Sequence, residues 1–204
     1  MSAPIFLASR SPRRRELLAQ IGVRHEPLLF REGGRADAEV HEDPHPGEHP
    51  DDYVRRVTQL KADSAWERVT LRRGLMRKPV LAADTTVALA TEILGKPADA
   101  ADAARILRLL AGTRHRVITA VALRFEDRFA MKVSESFVTF APLDEARIQA
   151  YIATGEPFDK AGAYGIQGRA GAFVSRLGGS YTGVMGLPLF ETVELLKEFG
   201  VVVP

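Results

Sequence analysis

The chain has 204 residues, 46% of them hydrophobic and 26% charged, a balance that suits a globular protein with a sizeable core and excludes a disordered one. It contains no cysteine, which excludes a disulfide framework, a thiolate metal site and a cysteine nucleophile together and fits a reducing cytoplasm. The 28 basic and 26 acidic residues leave a formal charge of +2, so any attraction for anions must be local.

The apolar run in MSAPIFLAS is too short for a signal peptide and has its basic cluster behind it, not in front. No apolar stretch approaches the roughly 18 to 20 residues of a membrane span, so a soluble, cytoplasmic protein with no membrane partner is expected. PIFLAS reads as a short strand, and Ser11-Pro12 as a helix N-cap with proline at the first helical position. Leu17, Leu18 and Ile21 give that helix its apolar stripe, and Gly22 fits its C-terminal stop.

Residues 31–52 are polar and broken by glycine and proline, which predicts an exposed loop able to fold over a ligand and leading into a helix from about Pro50 to Arg68. PVLAAD reads as a buried strand, TTVALATEILGK as its continuation with a turn, and DAADAARILRLLAG as an amphipathic helix closed by Gly112. HRVITAVALRF and RFAMKVSESFVTFA, separated by Glu126-Asp127, predict an antiparallel hairpin and hence a mixed sheet. A helix over LDEARIQAYIATG, a glycine-dense stretch over 160–186 and a last helix over LPLFETVELLKEFG complete the chain.

Arg10, Arg13, Arg14 and Arg15 crowd the start of the first helix. Free backbone N–H groups, the positive end of the helix dipole and forked guanidinium groups together make a natural phosphate site, with Ser9 and Ser11 as further donors. The plainer alternative is a solvated basic helix start. Asp84 stands at the C-terminal end of VLAAD, where open α/β sheets place groups that handle ligands, and a carboxylate there can hold a metal or activate water. A turn aspartate is the alternative. A haloacid-dehalogenase-type nucleophile is excluded because position 86 is Thr86, not a second aspartate. Lys61 and Lys96 are lone lysines, ordinarily solvated. His41, His45 and His49 have the spacing of a metal cluster on a helix, but Pro44, Pro46 and Gly47 oppose the helix that would align them. No dinucleotide-binding glycine fingerprint, Walker lysine motif or Ser-His-Asp pattern occurs.

In this order, LASRSPRRRELL, AADTTV, ILGKP, HRVITAVAL, GEPFDKAGAYGIQG and GLPL resemble the Maf family of nucleoside triphosphate pyrophosphatases over residues 5 to 199. The resemblance implies one domain over 1–204, of one or two lobes, with a mixed α/β fold of the inosine-triphosphate-pyrophosphatase type: a twisted sheet flanked by helices with a cleft between the lobes. It also implies Mg²⁺ or Mn²⁺ dependence, a homodimer, and cleavage of a nucleoside triphosphate to the monophosphate and pyrophosphate. DKAGAYGIQG resembles the branch acting on dTTP and UTP more than the branch associated with 7-methyl-GTP. By motif match, Asp84 is the implied proton acceptor, and Arg13, Thr85 and Gln167 correspond to positions linked with substrate choice. Ser9, Arg14, Glu42, Lys61, Lys96 and Lys160 are implied to line the phosphate and metal site, with Glu42 and Asp84 as metal ligands.

The chain departs from the family pattern ahead of the second helix, with His41-Glu42 in place of an Asp-Glu pair, Leu60-Lys61-Ala62 in place of Glu-Lys-Ala, and GGRADAE as an insertion in the preceding loop. A rival from another class is a nucleotide-binding regulator of cell division and septum formation, which binds without turnover. A nucleic-acid-binding module is disfavoured by the near-zero net charge and the lack of a basic-aromatic platform.

Overall fold

The computed structural model describes residues 4–28, 42–72 and 74–203. Half of the predicted loop, residues 31–41 with GGRADAE and His41, lies outside the described residues. The elements run β1 (Ile5–Leu7), α1 (Pro12–Gln20), β2 (His25–Pro27), α2 (Pro50–Leu71), β3 (Val80–Leu89), β4 (Glu92–Leu94), α3 (Ala100–Leu110), β5 (Arg114–Phe125), β6 (Arg128–Phe140) and α4 (Glu145–Ile152). Three short 3₁₀ turns then lead to β7 (Val174–Gly178), α5 (Tyr181–Met185) and α6 (Leu189–Glu198).

Local chemistry sets many of the boundaries. Proline opens α1 and α2 at positions where a helix has no use for the N–H. Asp99 and Asp144 cap α3 and α4 by accepting from Asp102 N–H and Arg147 N–H, each at 2.8 Å. The hairpin turns at Glu126-Asp127, where Phe125 pairs with Arg128 and the whole of β5 runs in register against β6.

The strands form one mixed sheet in the order β2-β1-β3-β5-β6-β7, with β4 also on β3. β1 is parallel to both β2 and β3, and the remaining pairs are antiparallel. β2 and β7 were not expected from the sequence: HEP carries no alternation of apolar residues, and VSRLG is a largely exposed edge. The short helix α5 inside the glycine-dense stretch was likewise not expected; its cap is Ser180, whose Oγ accepts from Gly183 N–H at 3.0 Å.

Alternation along β3 sends its side chains to two cores. Leu81 and Ala83 join Ile5, Leu7, Leu17, Leu18, Leu195 and Leu196 under α1 and α6. Val80 and Ala82 join Phe6, Ala62, Ala65 and Trp66 under α2. Farther along, Val87 packs with Leu107, Leu110, Ile148 and Tyr151 from α3 and α4.

One edge of β3 is paired with β5 from Val80 to Ala88. The other edge is shared: β1 covers it at Val80 and Leu81, and β4 covers it from Val87 onward. Between them, at residues 82–86, no strand pairs with that edge among the described residues. The chain leaving β1 turns away there to start α1. The opening in the sheet is therefore a consequence of two short strands sharing one long neighbour, and Asp84 and Thr85 stand in it.

Candidate active site

Asp84 and Thr85 are adjacent, so their side chains leave β3 on opposite faces. Asp84 faces α2. The buried residues of that helix fall at 54, 57, 58, 62 and 65, and Lys61 shares their stripe, which turns it toward the sheet. Its Nζ donates to Asp84 Oδ1 at 2.7 Å and pairs with Glu42 Oε2 at 2.9 Å. The Lys61 and Asp84 side chains are 15% and 11% exposed, so the group is sheltered but reachable, while Glu42 is 46% exposed. Two carboxylates sharing one ammonium leave a net negative charge on this face.

Tyr53, one stripe residue before Val54, was not anticipated from the sequence. Burial, reinforced by the charges of Asp84 and Glu42, pushes its phenol well above the ordinary range, so it stays protonated. The helical period that carries Lys61 to the sheet is the signal that could have found it.

Thr85 faces α1, where its Oγ1 lies 2.9 Å from Thr119 Oγ1 and 3.3 Å from Arg14 Nη2. Arg14 also donates from Nε to the Gly186 carbonyl at 2.7 Å and from Nη1 to Ser9 Oγ at 3.2 Å. Its partners are all neutral. Burial lowers the guanidinium's affinity for its proton, and the nearby Asp84 charge opposes that effect. Gly186 has φ +115°, a backbone conformation that favours glycine, while a Cβ there would make only ordinary contact with Arg14 Nε at 3.6 Å. Ser11, expected to cap α1, makes no side-chain cap, and its N–H donates to Ser9 Oγ at 3.2 Å.

Arg13, one residue on, pairs with Asp159 at 3.2 Å. Asp159 also contacts Lys160, whose Nζ donates to the Glu156 carbonyl at 2.6 Å. Gln167 is exposed. A Cβ on Gly165 would meet Lys160 Cε at 2.8 Å and Gln167 Nε2 at 3.3 Å, so the lysine and glutamine side chains converge over that bare backbone. Lys96 is exposed beyond β4, next to Gly95, whose carbonyl accepts from Gly162 N–H at 3.0 Å. That bond ties the Lys96 turn to the loop carrying Lys160, but no contact joins Lys96 to the other candidate side chains.

The structure thus gathers Ser9, Arg14 and Thr85 on one face, Glu42, Lys61 and Asp84 on the other, and Arg13, Lys160 and Gln167 beside α1. Asp159 was not anticipated, although it sits next to Lys160 in sequence. The histidine cluster has no counterpart here: His49 Nδ1 accepts from Asp51 N–H at 3.4 Å at the start of α2, and no group of three or more His, Cys, Asp or Glu suited to a metal occurs among the described residues. No helix among them is long and apolar enough to cross a membrane.

Comparison with known proteins bears on this arrangement. A protein of Aromatoleum aromaticum named dTTP/UTP pyrophosphatase is 57% identical over 201 residues, 98% of this chain and 97% of that protein. One of Cupriavidus metallidurans with the same name is 56% identical over 98% of each chain. The solved structure of the Staphylococcus aureus Ham1 protein aligns with a TM-score of 0.51 and 15% identity over 97% of each chain, a likeness that shows the mixed α/β fold alone. The profile of Maf-like proteins matches residues 4–199, nearly the whole described chain, and the chain belongs to the Maf family.

Proposed function

We propose that this protein hydrolyses nucleoside triphosphates, dTTP and UTP before others, to the monophosphate and pyrophosphate, in a reaction that depends on Mg²⁺ or Mn²⁺. The observation that carries the reading is the opposition of charge across β3: Asp84, Lys61 and Glu42 on one face, the half-buried Arg14 with neutral hydrogen-bond partners on the other. The family and the names of its close relatives point the same way.

A triphosphate needs cations for its phosphates, an activated water for the α-phosphorus and relief of charge on the departing pyrophosphate. The charge of Arg14 is left uncompensated by its hydrogen-bond partners, which are neutral, and the uncapped N–H groups of α1 lie beside it. Arg13 and Lys160 add two further cations on the side of Gln167. Asp84 receives the proton of the attacking water as the bond between the α-phosphorus and its bridging oxygen breaks. Lys61 holds Asp84 Oδ1 in place while this happens.

The donor set suits a hard divalent cation, which takes one or two carboxylates and completes its shell with water and substrate phosphate oxygens. Asp84 and Glu42 are the residues that hold it, and the ion when bound neutralises phosphate charge. A homodimer belongs to the same reading and is checked by light scattering.

The test is incubation of the pure protein with dTTP, UTP, CTP, ATP and GTP, with and without Mg²⁺ or Mn²⁺, scoring pyrophosphate and orthophosphate separately. Metal-dependent pyrophosphate release fastest with dTTP and UTP is the expected result. Binding without turnover makes the protein a nucleotide-responsive regulator instead, and orthophosphate release places the cleaved bond elsewhere.

A further inference from the structure

Glu42 reaches the centre from a segment without regular secondary structure, and its ion pair with Lys61 is nearly half exposed. A pair this exposed contributes too little to hold a loop by itself. The segment is held from another direction. Arg56, on α2 between Tyr53 and Lys61, grips Glu48 with both arms of its guanidinium, Nε to Oε1 at 2.6 Å and Nη2 to Oε2 at 2.7 Å. The same Nη2 donates to the Asp43 carbonyl at 3.1 Å, and Glu48 Oε2 accepts from His45 N–H at 2.9 Å.

This grip is unlike a surface ion pair. The Glu48 side chain is only 10% exposed, the geometry is bidentate, and the carboxylate also serves a backbone N–H of the loop it belongs to. Arg56 further lies over the Tyr53 ring, 5.7 Å from its centroid. One side chain thus ties down residue 43, immediately after Glu42, and residue 48, two residues before α2 starts at Pro50.

We propose that Arg56 is a positioning residue of the reaction: by clamping Glu48 and the Asp43 carbonyl it fixes the segment that delivers the Glu42 carboxylate to Lys61 and Asp84. The inference rests on the reading that the Asp84 centre hydrolyses nucleoside triphosphates. Arg56 itself need not meet substrate. Its contribution to turnover passes through Glu42.

A double-mutant cycle tests this. Arg56→Gln, Glu42→Gln and the double variant are compared with the parent for kcat and KM on UTP, with melting temperatures recorded. Arg56→Gln is expected to lower kcat by about tenfold in the parent and by less than about twofold in the Glu42→Gln background, because the clamp has nothing left to deliver. Hydrogen exchange of the amides over 43–49 is expected to accelerate at least about tenfold in Arg56→Gln, independently of activity. Glu48→Gln breaks the same clamp from its other end and is expected to reproduce both effects, which keeps the test decisive should Arg56→Gln fold poorly.

Equal losses from Arg56→Gln in the two backgrounds, no loss in either, or full activity of Glu42→Gln overturns the proposal. A parent protein that releases no pyrophosphate from any triphosphate overturns the functional reading itself, and this inference with it. An active parent with an additive cycle removes the Arg56 inference alone.

Discussion

On the α2 face of β3, Glu42 and Asp84 share one lysine, whereas on the α1 face the half-buried Arg14 gives its hydrogen bonds to a carbonyl and two hydroxyls. The first face has an excess of negative charge and the second an excess of positive charge, with a single β-strand between them. Charges matched this incompletely are a cost to a protein that only has to fold, since a partly buried cation is more stable beside an anion than beside neutral groups. On the proposed function, the missing partners are a polyanion and a divalent cation. The difference between the faces teaches where the folding requirement has been relaxed for binding.

The sharpest way to break this comparison is to neutralise one face. Asp84→Asn keeps size and shape but cannot accept a proton, and kcat for pyrophosphate release is expected to fall by about 10²- to 10⁴-fold with the melting temperature little changed. A loss below about threefold in a steady-state assay removes the catalytic role from the α2 face.

Arg14→Ala strikes the other face and has two expected consequences. The Gly186 carbonyl loses a charge-assisted donor, at about 1.5–3 kcal/mol of stability in a urea titration. KM for UTP is expected to rise by about 10-fold or more, corresponding to about 1.4 kcal/mol or more. Because Arg14 is partly buried, added salt should weaken this contribution less than it weakens a fully exposed contact. An unchanged KM with lowered stability makes Arg14 a tie between α1 and the Gly186 turn and nothing more.

Gln167 sharpens the comparison on the α1 side, where it converges with Lys160. Its amide offers one acceptor and two donors, which suits the carbonyl and N–H of a uracil or thymine edge but not the reversed edge of cytosine. Gln167→Ala is expected to narrow the kcat/KM gap between UTP and CTP by roughly tenfold. Equal loss on both nucleotides means the residue braces the turn without reading the base.

The smallest effect on turnover is expected from His115, which belongs to neither face. Burial lowers its pKa from 6.5 to about 4, and its Nε2 lies 2.8 Å from Tyr164 Oη. The native state holds the neutral ring, so protonation favours unfolding. Stability is full above pH 6.5 and falls as the pH drops toward 4, by about 3 kcal/mol at most from this group. Chemical denaturation between pH 7.5 and 4.5 checks the trend, which His115→Gln should flatten while kcat at pH 7.5 stays within about twofold.

Much of the fold was legible because its long elements carry strong periodic or local signals. The β5–β6 hairpin follows from two β-rich runs around Glu126-Asp127, and α1 from Ser11-Pro12 and Gly22. What was not legible depends on partners distant in sequence. β2 exists because the chain after α1 lies along β1, not because HEP prefers to be a strand. The motif match named Arg13 and Arg14 together, yet the two differ sharply: Arg14 is locked beneath the Gly186 turn while Arg13 reaches Asp159 near the surface. Adjacent residues on a helix point about 100° apart, and no local pattern says which will find a carbonyl and which a carboxylate. Arg56 escaped for the same reason, since its meaning lies in Glu48 and Asp43 on a loop with no period of its own.

The bond from Arg14 to Gly186 joins residues 172 positions apart. During synthesis at about 5–20 residues per second, Arg14 leaves the ribosome roughly 9 to 34 seconds before the carbonyl that will hold it. For that interval the arginine has no Gly186 turn to anchor it, and the anion-facing half of the centre cannot be complete. A chain cut short before Gly186 loses more than its last helix: it also loses the carbonyl that positions Arg14 for its proposed role. On the proposed function, nucleotide binding through Arg14 is therefore available only once residue 186 has been made and has met residue 14.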